Sequence, residues 1–239
     1  MNKYIDTHCH IIPGVDDGAK NIKETREMLR MAYDEGIRCI VATPHHHPIR
    51  GMADVYQLRR NINKVRKEAT RIDKRFKVYL GMEVFFTHEV PAKILAGEVK
   101  GINNKKLILL EFSPKDEFSY INQAVKLVQS TGVDIIMAHC ERYLSLYKDM
   151  DRIRYLDRLG IKFQVNASSI IGDSGRRAQR FIRRLMDEDY VFCVGTDAHN
   201  TTDRVPMMDD AAKYVEKYYG KDYMKKIFFT NPASILTSK

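Results

Sequence analysis

The sequence predicts an α/β fold of the barrel type, and three observations carry that expectation. Seven short apolar runs recur along the 239 residues, segments of helical period lie between most of them, and the length suits one barrel with no second domain. The runs are KYID (3–6), CIVA (39–42), VYLG (78–81), LILLE (107–111), DIIMA (134–138), KFQV (162–165) and VFCV (191–194). Each is brief, apolar and bounded by turn or polar residues, as strands buried on both faces are. Strand followed by helix, repeated, makes neighbouring strands parallel. Seven such units suggest a closed or nearly closed barrel rather than an open sheet. The expectation is a distorted TIM-like (β/α)7 barrel, a single catalytic domain over residues 1–239, with its site at the C-terminal rim of the strands.

The helices follow from their periods and stops. Segments 21–35, 120–131 and 155–159 end at Gly36, Gly132 and Gly160, the residue type that most often closes a helix. From 59 to 75, eight Lys or Arg stand against Glu68 and Asp73, while Val55, Leu58, Ile62, Val65, Ala69 and Ile72 recur at three- and four-residue steps. That is an amphipathic helix with a basic outer face. Segment 176–184 repeats the pattern with five arginines around Phe181 and Ile182. Both faces read first as solvated surface and second as contacts for an anionic partner. They account for much of the net charge of +9 without requiring nucleic acid.

Hydrophobic content of 44% with 30% charged residues is that of a soluble globular chain. No stretch has the length and apolarity of a signal peptide or a membrane span, so no membrane insertion and a cytoplasmic location are expected. Cys9, Cys39, Cys140 and Cys193 form no C-x-x-C pair and read as reduced, packed thiols. A cysteine-based phosphatase would need Arg six positions after its nucleophile. The residues there are Val15, His45, Leu146 and His199.

The side chains able to bind metals gather where a barrel keeps its chemistry. His8 and His10 follow the first run, His45 the second and Glu83 the third; Glu111 ends the fourth, His139 follows the fifth, and Asp197 and His199 follow the seventh. Six of the seven strands thus deliver a ligand type to one rim. In H-x-H the two imidazoles share one side of an extended chain, so His8 and His10 can grip one ion while Cys9 points away. Asp197 and His199 in TDAH repeat the spacing. Glu83 suits bridging, because a carboxylate has two oxygens. Within HHHP, His45 is the ligand candidate; His46 and His47 support the ligands from behind, face the substrate or stand in solvent, and His88 is structural. Of the turn pair, Asp17 is the candidate ligand and Asp16 a local turn residue.

The stretches DTHCHIIPGVDDG, TPHHHP, GMEVFF, LLEFSP, MAHCER, FQVNASSIIG and GTDAHNTTDRVP resemble a known family. It is the bacterial CpsB/CapC-type manganese-dependent tyrosine-protein phosphatases of capsular and extracellular polysaccharide synthesis, in the polymerase-and-histidinol-phosphatase (PHP) superfamily. The resemblance spans residues 6 to about 206. It implies three divalent metal ions, manganese foremost, with iron, cobalt or zinc as alternatives. The first ion would take His8, His10, Glu83 and Asp197, the second Glu83, Glu111 and His139, and the third Asp17, His45 and His199. Arg142 and Arg204 would bind the phosphate. One departure stands at Cys140, where the family usually has Pro.

The activity implied is hydrolysis of phosphotyrosine by a metal-bound hydroxide, without a covalent phospho-enzyme, on a tyrosine autokinase that controls polysaccharide export. Two other readings stand beside it. One is a PHP-type phosphoesterase acting on histidinol phosphate or nucleic-acid ends. The other is a basic nucleic-acid-binding module, which would explain the charge but not the rim.

Overall fold

The computed structural model describes residues 3–52, 54–147 and 149–237. The strands are β1 (Tyr4–Cys9), β2 (Ile37–Ala42), β3 (His45–His47), β4 (Gly51–Met52), β5 (Lys77–Leu80), β6 (Glu83–Phe85), β7 (Leu107–Glu111), β8 (Asp134–Met137), β9 (Lys162–Asn166) and β10 (Val191–Gly195). The principal helices are α1 (Ile22–Asp34), α2 (Val55–Ile72), α3 (Val90–Leu95), α4 (Phe118–Gln129), α5 (Leu144–Tyr147), α6 (Met150–Arg158), α7 (Ala167–Ile171), α8 (Gly175–Asp187), α9 (Asp209–Tyr219), α10 (Lys221–Lys225) and α11 (Asn231–Thr237). No helix among the described residues is long and apolar enough to cross a membrane.

Hydrogen bonding divides the strands into the sheets β1-β2-β5 and β10-β9-β8-β7-β6-β3-β4, parallel throughout except for the short β3–β4 pair. The two sheets form one wall. β2 runs into β3 across Pro44 and β5 into β6 across Gly81 and Met82, with Gly81 N–H donating to Ala42 O at 2.8 Å and Glu83 N–H to Pro44 O at 3.1 Å. At the far side, Asp197 N–H donates to His8 O at 2.7 Å and His10 N–H to Ala198 O at 2.8 Å, which sets β1 beside the segment after β10. Seven staves in chain order therefore make a distorted (β/α)7 barrel, as the alternation of runs and helices predicts.

The helices obey their sequence rules. Asn21 caps α1 by accepting from Lys23 N–H and Glu24 N–H at 2.9 and 3.1 Å. On α2, Leu58, Ile62, Val65 and Ala69 are buried and the outer face is basic. α6 starts at Met150, earlier than its apolar period suggests, because Asp149 caps it through Asp151 N–H at 2.9 Å. The strands β3 and β6 lie outside the apolar runs. Their residues, HHH and EVF, carry the rim's polar groups and so escape a rule based on hydrophobicity.

Period two positions the site. Val41 and Leu109 are buried in one cluster with Ile136 and Cys193, and Cys39 and Tyr79 pack against it. Continuing each strand by steps of two leads from Cys39 and Val41 to His45, from Tyr79 to Glu83, from Leu109 to Glu111, and from Cys193 to Asp197. An apolar interior thus gives way to ligand types on the same face. Two strands depart from this rhythm. The β1 register slips between Asp6 and Cys9, and His139, after β8, adopts φ 29°.

Candidate metal centre

The centre is built outward from Glu83, at the start of β6. Its Oε2 lies 3.3 Å from His8 Nε2 and 3.2 Å from His10 Nε2, and Asp197 Oδ1 is 3.4 Å from both rings. The two Nε2 atoms are themselves 3.1 Å apart. Cys9, between the two histidines, is buried on the other side with its thiol toward Ala198 O. Gly195 keeps this corner open, because a Cβ there would stand 2.5 Å from His8 Cβ.

A second group shares His10. Asp17 Oδ1 lies 3.3 Å from His45 Nε2 and 3.4 Å from His199 Nε2, and donors of His10, Asp17, His45 and His199 all fall within 4.8 Å of one another. A third joins His45, Glu83 and Glu111. His139 enters there through Nε2, 2.8 Å from Glu83 Oε1 and 3.6 Å from Glu111 Oε1. The fold therefore brings together all nine side chains singled out as ligands, and additionally places His10 beside Asp17 and His45 beside Glu111.

The donor chemistry fits a cation. Both ring nitrogens of His45, His139 Nδ1, His199 Nε2, Glu83 Oε2 and Glu111 Oε2 are buried without a hydrogen-bond partner. His45 Nδ1 is 2.9 Å from Glu83 Oε2 but lacks the alignment of a hydrogen bond. Buried polar atoms left unpaired are costly, and a cluster of them at one rim fits a ligand with positive charge. Imidazole nitrogens mixed with carboxylate oxygens suit manganese, iron, cobalt or zinc.

Groups behind the donors aim them. Asp16, with its carboxylate buried, pairs with His10 Nδ1 at 2.9 Å and accepts from His45 N–H at 2.9 Å, so it orients ligands as well as shaping its turn. Gln164 on β9 pairs through Oε1 with His8 Nδ1 at 3.1 Å and accepts His139 N–H at 2.8 Å. Its amide donates to Asn166 Oδ1 at 2.8 Å, and Asn166 Nδ2 donates to Asp197 Oδ2 at 3.1 Å. Such partners fix the tautomer that leaves Nε2 free toward the centre. The one strand lacking a ligand type thus supplies the orienting amides.

Charge is finely divided across the rim. Burial alone would raise the Glu83 and Asp197 carboxyls, but the surrounding imidazoles hold both well below the usual range. Glu111 is pushed up to about 7 by burial and by the charge of Glu83. Burial, with Arg142 nearby, lowers His139 to about 4, and burial with His10 lowers His199 to about 4. For His45 burial is outweighed by the Asp17 and Glu83 carboxylates, which lift it to about 9.

Two guanidinium groups close on this rim. Arg142 Nη1 and Arg204 Nη2 meet Asp197 Oδ2 at 2.8 and 2.6 Å, each half-buried. They line a cleft of about 300 Å³ with Asn166, Ser168 and Asp197. Arg142 sits on a short 3-10 turn, Cys140–Arg142, in which Cys140 is buried. A third cation, Arg50, reaches Glu111 Oε1 at 3.3 Å. His47, buried, accepts from Ile49 N–H and Arg50 N–H at 3.0 and 3.2 Å and so shapes the Arg50 loop. His46 is buried too, whereas His88 is exposed and its ring lies by Phe86 and Tyr120. The left-handed backbone at His139 (φ 29°) and Asp197 (φ 55°) is strain of the kind that gathers at working sites.

Fold and site together define a β/α-barrel protein with a candidate multi-ion metal centre. Within that class the chain belongs to the CpsB/CapC family of capsular polysaccharide synthesis, which matches residues 4–237. It is 30% identical to the tyrosine-protein phosphatase CpsB of Streptococcus agalactiae serotype III (strain NEM316), across 97% of this chain and 98% of that one. Identity to the tyrosine-protein phosphatase YwqE of Bacillus subtilis (strain 168) is also 30%, across 91% and 86%. A crystal structure from work on Bacillus subtilis YwqE and Streptococcus pneumoniae CpsB, described as unique metal-dependent tyrosine phosphatases, matches with a TM-score of 0.83 at 29% identity, over 92% of this chain and 89% of that one. Dihydropyrimidinase from Brevibacillus agri shares the fold alone, with a TM-score of 0.59 at 9% identity over 98% of this chain and 70% of that one.

Proposed function

We propose that the protein is a metal-dependent phosphatase that hydrolyses phosphotyrosine in proteins, as one catalytic domain over residues 1–239. Its proposed substrate is a tyrosine autokinase of capsular or extracellular polysaccharide synthesis. One observation carries the reading: unpartnered buried lone pairs converge beside two guanidinium groups that share one carboxylate. Relatives named tyrosine-protein phosphatases supply the substrate class. Four free cysteines fit a reducing compartment and support a cytoplasmic site of action.

Three divalent ions, manganese foremost, are the proposed occupants. His8, His10, Glu83 and Asp197 would hold one, Glu83, Glu111 and His139 a second, and Asp17, His45 and His199 a third. Bound there, the ions supply Lewis acidity toward phosphoryl oxygens and activate water near neutral pH. Arg142 and Arg204 orient the phosphoryl group, since each guanidinium fork carries five N–H donors and the contact with Asp197 uses only part of them. Their charge counts for more in a half-buried cleft than in water. Gln164, Asn166 and Asp16 keep the histidines aimed. A phenol pKa of about 10 makes tyrosine a fair leaving group, so a dedicated proton donor is less needed than for an aliphatic alcohol.

The test is a chelator-stripped sample reloaded with manganese, iron, cobalt or zinc and assayed on a phosphotyrosine peptide, histidinol phosphate and a DNA 3′-phosphate end. Activity should vanish on stripping and return on reloading, with the phosphopeptide hydrolysed best. Full activity in the stripped protein would overturn the metal reading. Preference for either other ester would overturn the substrate.

A further inference from the structure

The Cys140–Arg142 turn leads directly into α5, and α5 forms one wall of a second groove, of about 790 Å³, whose other wall is α8. The Tyr147 and Phe181 rings meet there at a tilt of 44° with centres 5.1 Å apart, and Tyr147 Oη donates back to Glu141 O beside Arg142. Arg177, Arg180 and Arg184 line the groove from one face of α8, three and four residues apart. All three are exposed, and among the described residues none has a carboxylate within ion-pair distance. Lys115 and Arg152 add positive charge, against Asp116 and Glu117. Arg152 is already engaged by Asp149 at 3.5 Å and by the Phe118 ring. The three α8 arginines set like charges three and four residues apart on a solvated helix face with no carboxylate paired to them.

We propose that this groove docks an acidic stretch of the substrate protein lying next to its phosphotyrosine. The inference rests on the phosphotyrosine reading above and adds where the rest of the substrate binds. Charge complementarity selects the partner: three unpaired guanidinium forks suit carboxylates, and the Tyr147 and Phe181 floor suits a peptide backbone with side chains. Reach agrees. Ser145 is three residues beyond Arg142, so the groove begins within about 11 Å of it along the chain, a span that three or four extended residues cover at about 3.3 Å each.

The test compares wild type with Arg177→Glu/Arg180→Glu/Arg184→Glu and with the milder Arg177→Gln/Arg180→Gln/Arg184→Gln, both checked for an unchanged thermal melt. Substrates are a phosphotyrosine peptide with flanking Glu and Asp, the same peptide with neutral flanks, and free phosphotyrosine. KM for the acidic peptide should rise about tenfold with kcat held, and added salt should abolish the wild-type preference. Free phosphotyrosine should be hydrolysed equally by all three proteins. Equal KM values for both peptides across the variants would overturn docking while leaving the phosphatase reading intact. Failure of wild type on every phosphotyrosine substrate would overturn that reading instead. If the variants lost affinity for a single-stranded oligonucleotide or for phosphatidylserine vesicles and kept their peptide kinetics, the groove would belong to those ligands and the proposal would fall.

Discussion

The barrel's interior and its C-terminal rim are built from the same strands and obey opposite physics. In the interior, Ile5, Val41, Leu107, Leu109 and Ile136 bury apolar surface against one another and against Ile235 and Leu236 of α11. Every contact there favours folding. At the rim, two to four residues further along the same staves, His45, Glu83 and Glu111 bury polar atoms with no partner. Burying such groups opposes folding unless something pairs them. The interior therefore carries the rim, and what the rim costs in stability marks where its chemistry lies.

The sharpest way to break this contrast is to exchange one residue from each side. Glu83→Gln keeps the shape but removes the charge that His8, His10, His45 and His139 surround. Elemental analysis should find metal lost, and kcat/KM should fall on the order of 10³-fold, while the melting temperature of the metal-free protein should not fall. Leu109→Ala should do the reverse. It should cost about 2–5 kcal/mol in denaturant titrations and leave metal content unchanged in the folded fraction. If Glu83→Gln kept its metals, or Leu109→Ala lost them, the division of labour between the two regions would be wrong.

A smaller effect separates metal binding from phosphate binding inside the rim. Arginine has donors only and cannot ligate a cation, so Arg142→Ala or Arg204→Ala should leave metal content unchanged. Each should lower kcat/KM by about 10²-fold, the usual worth of a charge-assisted contact to a transferring phosphoryl group. Wild-type kinetics in both variants would return the two arginines to plain partners of Asp197.

The fold and the outline of the centre are legible in the sequence for one reason: apolar runs reveal strands, and ligand types at their ends stand out against them. What escaped has physical causes. β3 and β6 are strands made of histidine and glutamate, which hydrophobicity cannot register. Gln164 and Asn166 are neutral amides on the one strand without a ligand type, and nothing local distinguishes an orienting amide from any buried polar residue. Arg50 meets Glu111 across 61 positions, a pairing that exists only once the barrel forms. Asp16 and Asp17 are adjacent, and the turn geometry decides which faces His10 and which faces His45 and His199.

Protons sharpen the contrast further, at about tenfold per pH unit for each one displaced. His45 is lifted to about 9 and so carries a proton near pH 7 in the metal-free protein, whereas His139 and His199, lowered to about 4, are already neutral. A metal needs the lone pair, so loading must expel the His45 proton. Affinity should therefore climb as pH rises from 7 toward 9, and the His10 imidazole, lifted against burial well above its ordinary value by the Asp16, Asp197 and Glu83 carboxylates, adds a further proton to be displaced. Calorimetry in two buffers of different ionisation enthalpy should show proton release at pH 7. Loading without proton release would mean that His45 is not a ligand.

The smallest effect is expected at the thiols, which belong to the apolar side of the comparison even where they sit among ligands. Burial pushes Cys39 and Cys193 up to about 12 and holds Cys9 and Cys140 well above the ordinary thiol value. At neutral pH all four are protonated, and three are fully buried, so none offers the thiolate that nucleophilic attack requires. Cys9→Ser, Cys39→Ser and Cys193→Ser should each stay within about threefold of wild-type kcat/KM and cost at most about 1–3 kcal/mol of stability, the price of a buried hydroxyl. Cys140→Ser should show any larger loss, because Cys140 shares its turn with Arg142. Iodoacetamide should leave native activity intact. If alkylation of Cys9 abolished turnover while metals stayed bound, the thiol between the two histidines would belong to the chemistry after all, and the boundary between the two regions would have to be drawn through β1 itself.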